Sequence, residues 1–267
     1  MGFEIFENNG RRLEYEVTGD GHPVVFLHGL GGSIGQMVSA FDLPEGFSRI
    51  ALNQQGHGGS DFDPESFSFD SMADDVAALL SHLGAAKAGF AGISMGAAVA
   101  LNIAVRYPQL VEKLLLVRNA WTDQPMSADV TQAYKDLGLA LKEKDEAAFW
   151  KSEGGEIVSA TGSVYTKGAF TGPFSEEPQL KNWQKFLLLP PTAPVRDVSE
   201  IEAVRVPVMI LACRGDFCHP YERGEYMHAH IPGSILYEIP GKDVDSATHK
   251  ALSNRYFREF FEVAERI

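Results

Sequence analysis

Short apolar segments alternate with helical segments along most of this chain. Six segments are typical of strands, and the first five are apolar enough to be buried on both faces: PVVFLHG, SRIALNQQGHG, AKAGFAGIS, EKLLLVRNA, VPVMILACRGD and SILYEIPG. The segments FDSMADDVAALLSHLG, MGAAVALNIAVRYP and HKALSNRYFREFFEVAER favour helices. Strands that alternate with helices predict an α/β fold, in which helices cover both faces of a mostly parallel sheet.

Two stretches depart from this alternation. RRLEYEVTG follows the turn ENNG, so residues 3–18 predict an opening hairpin. Residues 121–198 contain no clear strand and end in the proline-rich LLLPPTAP. This stretch is far longer than an ordinary connection between elements. It therefore predicts a helical cap, or lid, inserted into a core of residues 1–120 and 199–267; a long crossover is the alternative.

Composition excludes several classes of function. The formal net charge is −13, and no cluster of lysines and arginines stands out, so we expect no nucleic-acid partner and a mild bias against anionic partners. No apolar stretch is long enough to span a membrane. The first residues, MGFEIFENNG, lack the apolar core of a signal peptide. With only two cysteines in the chain, no disulfide framework is expected, and a reducing cytoplasm is the predicted location.

One serine stands where a predicted strand meets a predicted helix. In GFAGISMGAAVA, Ser94 lies between Gly92 and Gly96. A G-x-S-x-G motif alone is weak evidence, but here a buried strand precedes it and a helix follows it. Such a sharp turn exposes the hydroxyl as a nucleophile, and glycines leave room for the turn.

A serine hydroxyl needs a base to be a useful nucleophile. His249 lies between the last strand and the final helix, and Asp216 follows a buried strand, at the sheet edge where ligands gather. In this type of fold the order along the chain is serine, acid, histidine. Asp123 is the runner-up acid, whereas Asp243 and Asp245 are predicted to be loop residues. An exposed histidine near a helix start is the alternative for His249.

The segment FLHGLGG supplies the remaining part of the expected site. Its glycines allow a backbone N–H to approach a substrate oxygen, and the N–H groups of Leu30 and Met95 are the predicted oxyanion hole. His28 is expected to brace this loop. It is also kept as a candidate substrate-binding residue, and the other candidates are three tryptophans of the cap: Trp121, Trp150 and Trp183.

No metal or nucleotide cofactor is predicted. Cys213, Cys218 and His219 lack a second pair of ligands at the spacing of a zinc site. The glycine-rich loops HGLGG and GHGGS match neither a dinucleotide fingerprint nor a P-loop.

Taken together, HGLGGS, QQGHGGSD, GISMGAAVALNIAVRYPQLVEKLLLV, RGDFCHP and ATHKA resemble the α/β-hydrolase superfamily with an inserted cap. The resemblance covers about residues 10–120 and 204–265. It implies a triad of Ser94, Asp216 and His249 and a substrate gorge beneath the cap. Superfamily members often carry an aspartate and an arginine in the loop after the third core strand, where this chain has Asn53 and Gln55.

The expected function is that of a serine hydrolase that cleaves a small carboxylic ester or related acyl compound through an acyl-enzyme, without a cofactor. The same triad could instead serve carbon–carbon bond hydrolysis, lactone hydrolysis or cofactor-free perhydrolysis. A hydrolase-like ligand receptor is the more distant alternative. The expected partner is a small-molecule substrate; the sequence does not indicate an oligomeric state.

Overall fold

The structure is a computed structural model that describes residues 2–262. Eight strands form one sheet in the order β1-β2-β4-β3-β5-β6-β7-β8. In chain order the strands are β1 (Glu4–Asn8), β2 (Arg11–Thr18), β3 (His22–Leu27), β4 (Phe47–Leu52), β5 (Ala88–Ile93), β6 (Val111–Val117), β7 (Val208–Ala212) and β8 (Ile235–Glu238). The first two strands form an antiparallel hairpin, and β2 also runs antiparallel to β4. All other pairs are parallel, so the predicted sheet and opening hairpin are confirmed.

Helices cover both faces of the sheet. The helices of the core are α1 (Ile34–Ala40), α2 (Phe69–His82), α3 (Met95–Arg106), α10 (Val198–Glu202), α11 (Tyr221–His230) and α12 (Lys242–Glu262). Along β3, Val25 and Leu27 pack into the cluster that includes α2 and α3, whereas Val24 and Phe26 pack into the cluster that includes α1 and α12. Successive side chains of a strand point to opposite faces. A continuous apolar run therefore fills two cores at once.

The stretch predicted to be a cap is helical. It contains α4 (Ala128–Glu143), α5 (Glu146–Trp150), α6 (Glu153–Ala160), α7 (Val164–Thr171), α8 (Glu177–Lys181) and α9 (Lys185–Leu188). Within residues 121–198, all of them described, the structure has no strand. Buried Lys185 donates to the carbonyl of Gly56 over 2.5 Å, and Gln179 donates to the carbonyl of Gly31 over 3.0 Å. The helical stretch is thus held against loops that follow β4 and β3.

The carboxyl ends of the parallel strands place the candidate site at one edge of the sheet. Residues 28–33 follow β3, Ser94 follows β5, Arg118 follows β6 and residues 213–220 follow β7. In residues 2–262, no helix is both long and apolar enough to cross a membrane.

Candidate active site

Ser94 occupies a strained turn between β5 and α3. Its backbone has φ 55° and ψ −111°, a combination that a residue with a side chain rarely adopts. A Cβ on Gly92 would lie 2.3 Å from the carbonyl oxygen of Gly96, and one on Gly96 would lie 1.9 Å from that of Leu27. Both flanking positions therefore require glycine. Strain of this kind persists where the surrounding structure enforces it, often at functional sites.

Two backbone N–H groups beside Ser94 are free to bind an oxyanion. Neither the N–H of Leu30 nor that of Met95 has a hydrogen-bond acceptor within the described residues 2–262. The neighbouring N–H groups are occupied, because that of Gly29 donates to Oε1 of Gln36 over 2.7 Å and that of Gly31 donates to Nε2 of His57 over 3.0 Å. The loop thus leaves free the two donors that the sequence predicted.

His28 lies beneath this loop with both ring nitrogens bonded to the backbone. Its Nε2 accepts from the N–H of Gln54 over 3.0 Å, so Nδ1 carries the proton and donates to the carbonyl of Gly29 over 2.8 Å. Burial lowers the pKa of His28 to about 4. The ring is therefore neutral at ordinary pH and supports the loop, as expected, with no nitrogen left to bind substrate.

The side chain hydrogen-bonded to Ser94 is His219. The Nε2 of His219 lies 2.8 Å from Oγ of Ser94, and its Nδ1 lies 2.9 Å from Oδ1 of Asp216. Because a carboxylate only accepts, Nδ1 carries the proton and Nε2 is left to accept from the serine hydroxyl. Serine, histidine and aspartate thus form one chain of hydrogen bonds, with acid and base three residues apart on the loop after β7.

His249 does not take part in that chain. Its Nδ1 lies 2.9 Å from the carbonyl oxygen of Pro240 and 3.8 Å from Sγ of Cys213. It makes no hydrogen bond to Ser94 or Asp216 in the part of the chain that the structure describes. The prediction of His249 as the base is not met by this geometry, because the two oxygens of Asp216 bond to His219 and Arg118 instead.

Arg118 binds the second oxygen of the Asp216 carboxylate. Its Nε and an Nη lie 2.7 and 2.6 Å from Oδ2 of Asp216, so His219 and Arg118 each engage one carboxylate oxygen. Burial alone would raise the pKa of Asp216, but its interactions with His219 and with the charge of Arg118 outweigh burial and hold that pKa well below its ordinary value. Burial lowers the pKa of His219; Asp216 opposes this shift and Arg118 adds to it. At neutral pH this favours an ionised acid beside a neutral base.

Asp123, the alternative acid, lies elsewhere. Its Oδ2 accepts from Nε2 of Gln124 over 3.4 Å, and neither His219 nor His249 bonds to it among residues 2–262. Asp243 caps the start of α7, where it accepts from the N–H of Tyr165 over 2.7 Å.

The cavity beside Ser94 is small, and residues of α4 and α7 form part of its lining. It has a volume of about 70 Å³, and its lining includes Leu30, Tyr134, Tyr165 and Cys218. A larger cavity of about 510 Å³ shares Leu30, Tyr134 and Tyr165 with it and extends towards Phe186. An acyl group at Ser94 would therefore meet two tyrosines of the helical stretch.

The three predicted tryptophans lie outside the lining of both cavities. Trp121 is 1% exposed and packs edge-on against Phe69 at 5.3 Å. Trp150 donates to Glu146 over 3.0 Å, and Lys142 lies over the ring of Trp183. The tryptophans therefore contact other side chains, and Tyr134 and Tyr165 line the cavities instead of them.

Sequence reasoning missed His219, Arg118, Tyr134 and Tyr165. Asp216 and His219 are only three residues apart in RGDFCHP, and this spacing is a signal that the sequence contains, although the sequence motifs point to His219 only as a metal ligand. No group of three or more histidine, cysteine, aspartate or glutamate side chains in residues 2–262 is arranged to hold a metal ion. Both cysteines are buried free thiols.

Comparison with known proteins supports the fold seen here. The family model described as the alpha/beta hydrolase fold matches residues 22–150. The AB hydrolase superfamily protein YisY of Bacillus subtilis (strain 168) is 27% identical over 88% of this chain and 90% of its own length. This chain has the α/β-hydrolase fold, and slightly less than half of it matches the model of that family.

A second curated relative matches over a shorter stretch. The dihydrolipoyllysine-residue acetyltransferase component of the acetoin cleaving system of Pseudomonas putida is 37% identical over 48% of this chain. The match spans only 35% of that protein, so it concerns one part of a longer chain.

Solved structures share the complete α/β-hydrolase architecture. MGS-M2, an alpha/beta hydrolase enzyme from a Medee basin deep-sea metagenome library, superposes with a TM-score of 0.77 at 20% identity and covers 99% of both chains. The enol-lactonase from Burkholderia xenovorans LB400 gives a TM-score of 0.76 at 17% identity, over 97% of this chain and 100% of its own. At such identities the likeness shows the fold alone.

Proposed function

We propose that this protein, which has the α/β-hydrolase fold, is a serine hydrolase that cleaves a small carboxylic ester or a related acyl compound. The observation that carries the proposal is the chain of hydrogen bonds from Ser94 through His219 to Asp216, at 2.8 and 2.9 Å. Nucleophile and base lie within hydrogen-bond reach, and a third group orients the base.

In the proposed reaction, Oγ of Ser94 attacks the substrate carbonyl while Nε2 of His219 takes the hydroxyl proton. His219 then gives that proton to the leaving group, and the acyl group remains on the serine. Asp216 holds the imidazole in the required tautomer and stabilises its charged form. A water molecule, deprotonated by His219, then attacks the acyl-enzyme and releases the acid.

The negative charge that develops on the carbonyl oxygen would be bound by the N–H groups of Leu30 and Met95. Met95 is the first residue of α3, so the oxygen would also lie at a helix N-terminus, where negative charge is favoured. Donors aimed at that oxygen are worth about 10²–10³ in kcat.

The helical stretch of residues 121–198 is proposed to act as the cap of the site. Support comes from Tyr134 and Tyr165, which line the cavity at Ser94. With only about 70 Å³ beside the serine, we expect short acyl groups to be accepted. The cytoplasm remains the proposed location, because free thiols such as Cys213 and Cys218 suit a reducing compartment.

The test is covalent labelling and turnover. A fluorophosphonate should label Ser94, and p-nitrophenyl acetate should be hydrolysed continuously. Ser94→Ala should abolish labelling and lower kcat by about 10⁶ while the fold is kept. Activity within tenfold of wild type in the purified variant would overturn the assignment of the nucleophile.

The alternatives give different results in the same assays. A ligand receptor would show no steady turnover of any ester, lactone or thioester, whether or not the fluorophosphonate labels it. Carbon–carbon hydrolysis, lactone hydrolysis or perhydrolysis would retain the dependence on Ser94 but prefer the corresponding substrate over simple esters. A panel of these substrates therefore separates the reaction types.

A further inference from the structure

A second cavity lies directly beside the cavity at Ser94, between α1 and α12. It has a volume of about 220 Å³. The two cavities share Gln36, Ile93 and Arg118, so a group placed in one borders the other. The proposed reaction uses none of the residues that α12 adds to this second cavity.

The second cavity is lined by positive charge. Its charged side chains are Arg118, Lys242 and Lys250, and its lining in the described part of the chain includes no aspartate or glutamate. The whole chain has a formal net charge of −13. The local charge is therefore opposite to the charge of the protein, and it favours a ligand that the overall charge disfavours.

These three cations differ in how far they are already neutralised. Arg118 is paired with Asp216 at 2.6 Å. Lys250 lies 3.6 Å from Asp42, but both side chains are more than half exposed, and such pairs are weak. Lys242 is half-buried and has no carboxylate within 4.0 Å among residues 2–262; its Nζ donates to the hydroxyl of Tyr165 over 3.2 Å. Lys242 thus brings an unbalanced charge and spare N–H donors.

Neutral donors complete the lining. Oε1 of Gln36 must face the N–H of Gly29, 2.7 Å away, because an N–H only donates. Its amide nitrogen therefore has two N–H groups, and neither has an acceptor within the described residues. Ser246, whose side chain carries a hydroxyl, is also among the lining residues. Ammonium, amide and hydroxyl donors around one space suit an acceptor with several oxygens.

We propose that this cavity binds an oxyanion group, a carboxylate or a phosphate, beside the reacting serine. The group has two possible sources. It is either a carboxylate carried by the substrate, in which case the inference rests on the proposed hydrolase function, or a free anion that binds independently of turnover.

Binding is tested first without catalysis, in Ser94→Ala. The melting temperature is measured against increasing inorganic phosphate, and separately against glutarate, with chloride balancing the ionic strength. A saturable rise is expected for at least one of the two anions. The proposal would be overturned if neither phosphate nor glutarate changed the melting temperature more than chloride does.

Three further variants on the Ser94→Ala background locate the site. Lys242→Gln should weaken binding of the anion about tenfold, since a hydrogen bond to a charged group is lost. Lys250→Gln should weaken it less, and Lys181→Gln, an exposed lysine outside this cavity, should leave it unchanged. If Lys242→Gln fails to fold, the affinity of Lys250→Gln for the anion is the test. The proposal would be overturned if the folded variants of the cavity bound the anion as tightly as the Ser94→Ala protein does.

Kinetics of the active enzyme then distinguish the two sources. The p-nitrophenyl monoester of glutarate is compared with p-nitrophenyl pentanoate, which has a similar length but no charge. If the carboxylate belongs to the substrate, kcat/KM favours the charged ester, and Lys242→Gln lowers that preference about tenfold. If the ligand is a free anion, Lys242→Gln leaves the preference between the two esters unchanged, although phosphate raises the melting temperature of the Ser94→Ala protein. Failure of the hydrolase proposal would abolish turnover of both esters and leave the binding result intact.

Discussion

The two sides of the candidate active site are held in different ways. On the serine side, backbone geometry fixes the parts: Ser94 at φ 55°, two glycines that admit no Cβ, and two free N–H groups. On the acid–base side, the choice of side-chain partner fixes the parts, since Asp216 bonds His219 and Arg118 while His249 faces Pro240. Backbone constraints can be recognised in the local sequence, here by the glycines around Ser94. Which of two histidines bonds to Asp216 depends on contacts between residues far apart in the chain.

Substitution of each of the two histidines tests this comparison most directly. His219→Ala should lower kcat by about 10⁶, because a triad histidine costs about as much as its serine. His249→Ala should lower kcat for p-nitrophenyl acetate by less than tenfold. Both are measured at pH 7 on protein whose fold has been checked by circular dichroism. The reverse pattern would make His249 the base, as the sequence predicted.

The next test concerns Asp216, the proposed acid, on the acid–base side. Asp216→Asn should lower kcat by about 10⁴, because the imidazole is no longer held in the productive tautomer. Asp123→Asn is the matched control and should stay within tenfold of wild type, since Asp123 bonds neither His219 nor His249 among the described residues. Equal losses in the two variants would mean that the acid has been misassigned.

On the serine side the corresponding change is to the backbone. Gly96→Ala should lower the free energy of unfolding by about 3 kcal/mol, because the new Cβ would lie 1.9 Å from the carbonyl oxygen of Leu27. Gly168→Ala, where a Cβ has no neighbour within 4 Å, should be neutral or slightly stabilising. Urea unfolding measures both. A Gly96→Ala variant as stable as wild type would show that α3 can move away from β3.

The smallest expected effect concerns Arg118 and the pH profile. The charge of Arg118 lowers the pKa of His219, so Arg118→Met should raise that pKa. The reaction needs a neutral His219, and activity is lost as pH falls through its pKa; the acid limb of kcat/KM should therefore move to higher pH. Arg118→Lys should return the limb towards wild type. If the limb stays in place in Arg118→Met, Arg118 has only a packing role.

The sequence predicted the parts that depend on regular patterns. All six core strands and the hairpin lie where apolar runs and turn residues indicated, and GISMG forms the expected turn with Met95 at the helix start. The helical character of residues 121–198 also followed from the absence of strand patterns. Each of these depends on residues near one another in the chain.

The parts that the sequence did not predict depend on distant contacts. Arg118 is 98 residues from Asp216, and Tyr134 reaches the cavity from a helix whose placement no local pattern specifies. Large size and apolar character make the tryptophans candidates for the pocket, but the same properties bury Trp121 beside Phe69. The sequence does contain a signal for His219, because a histidine three residues after an acid can bond to it within one turn.

Asp216 and His219, the proposed acid and base, lie on one short loop, and this affects which segments of the chain can vary without loss of activity. The loop after β7 sets the distance between Asp216 and His219. That distance therefore does not depend on the position of α12. Insertions, drift or fusion at residues 242–262 should consequently be tolerated with less loss of turnover than changes of the same size at residues 213–220. Random mutagenesis with selection for ester hydrolysis would show this as a higher density of accepted substitutions along the last helix.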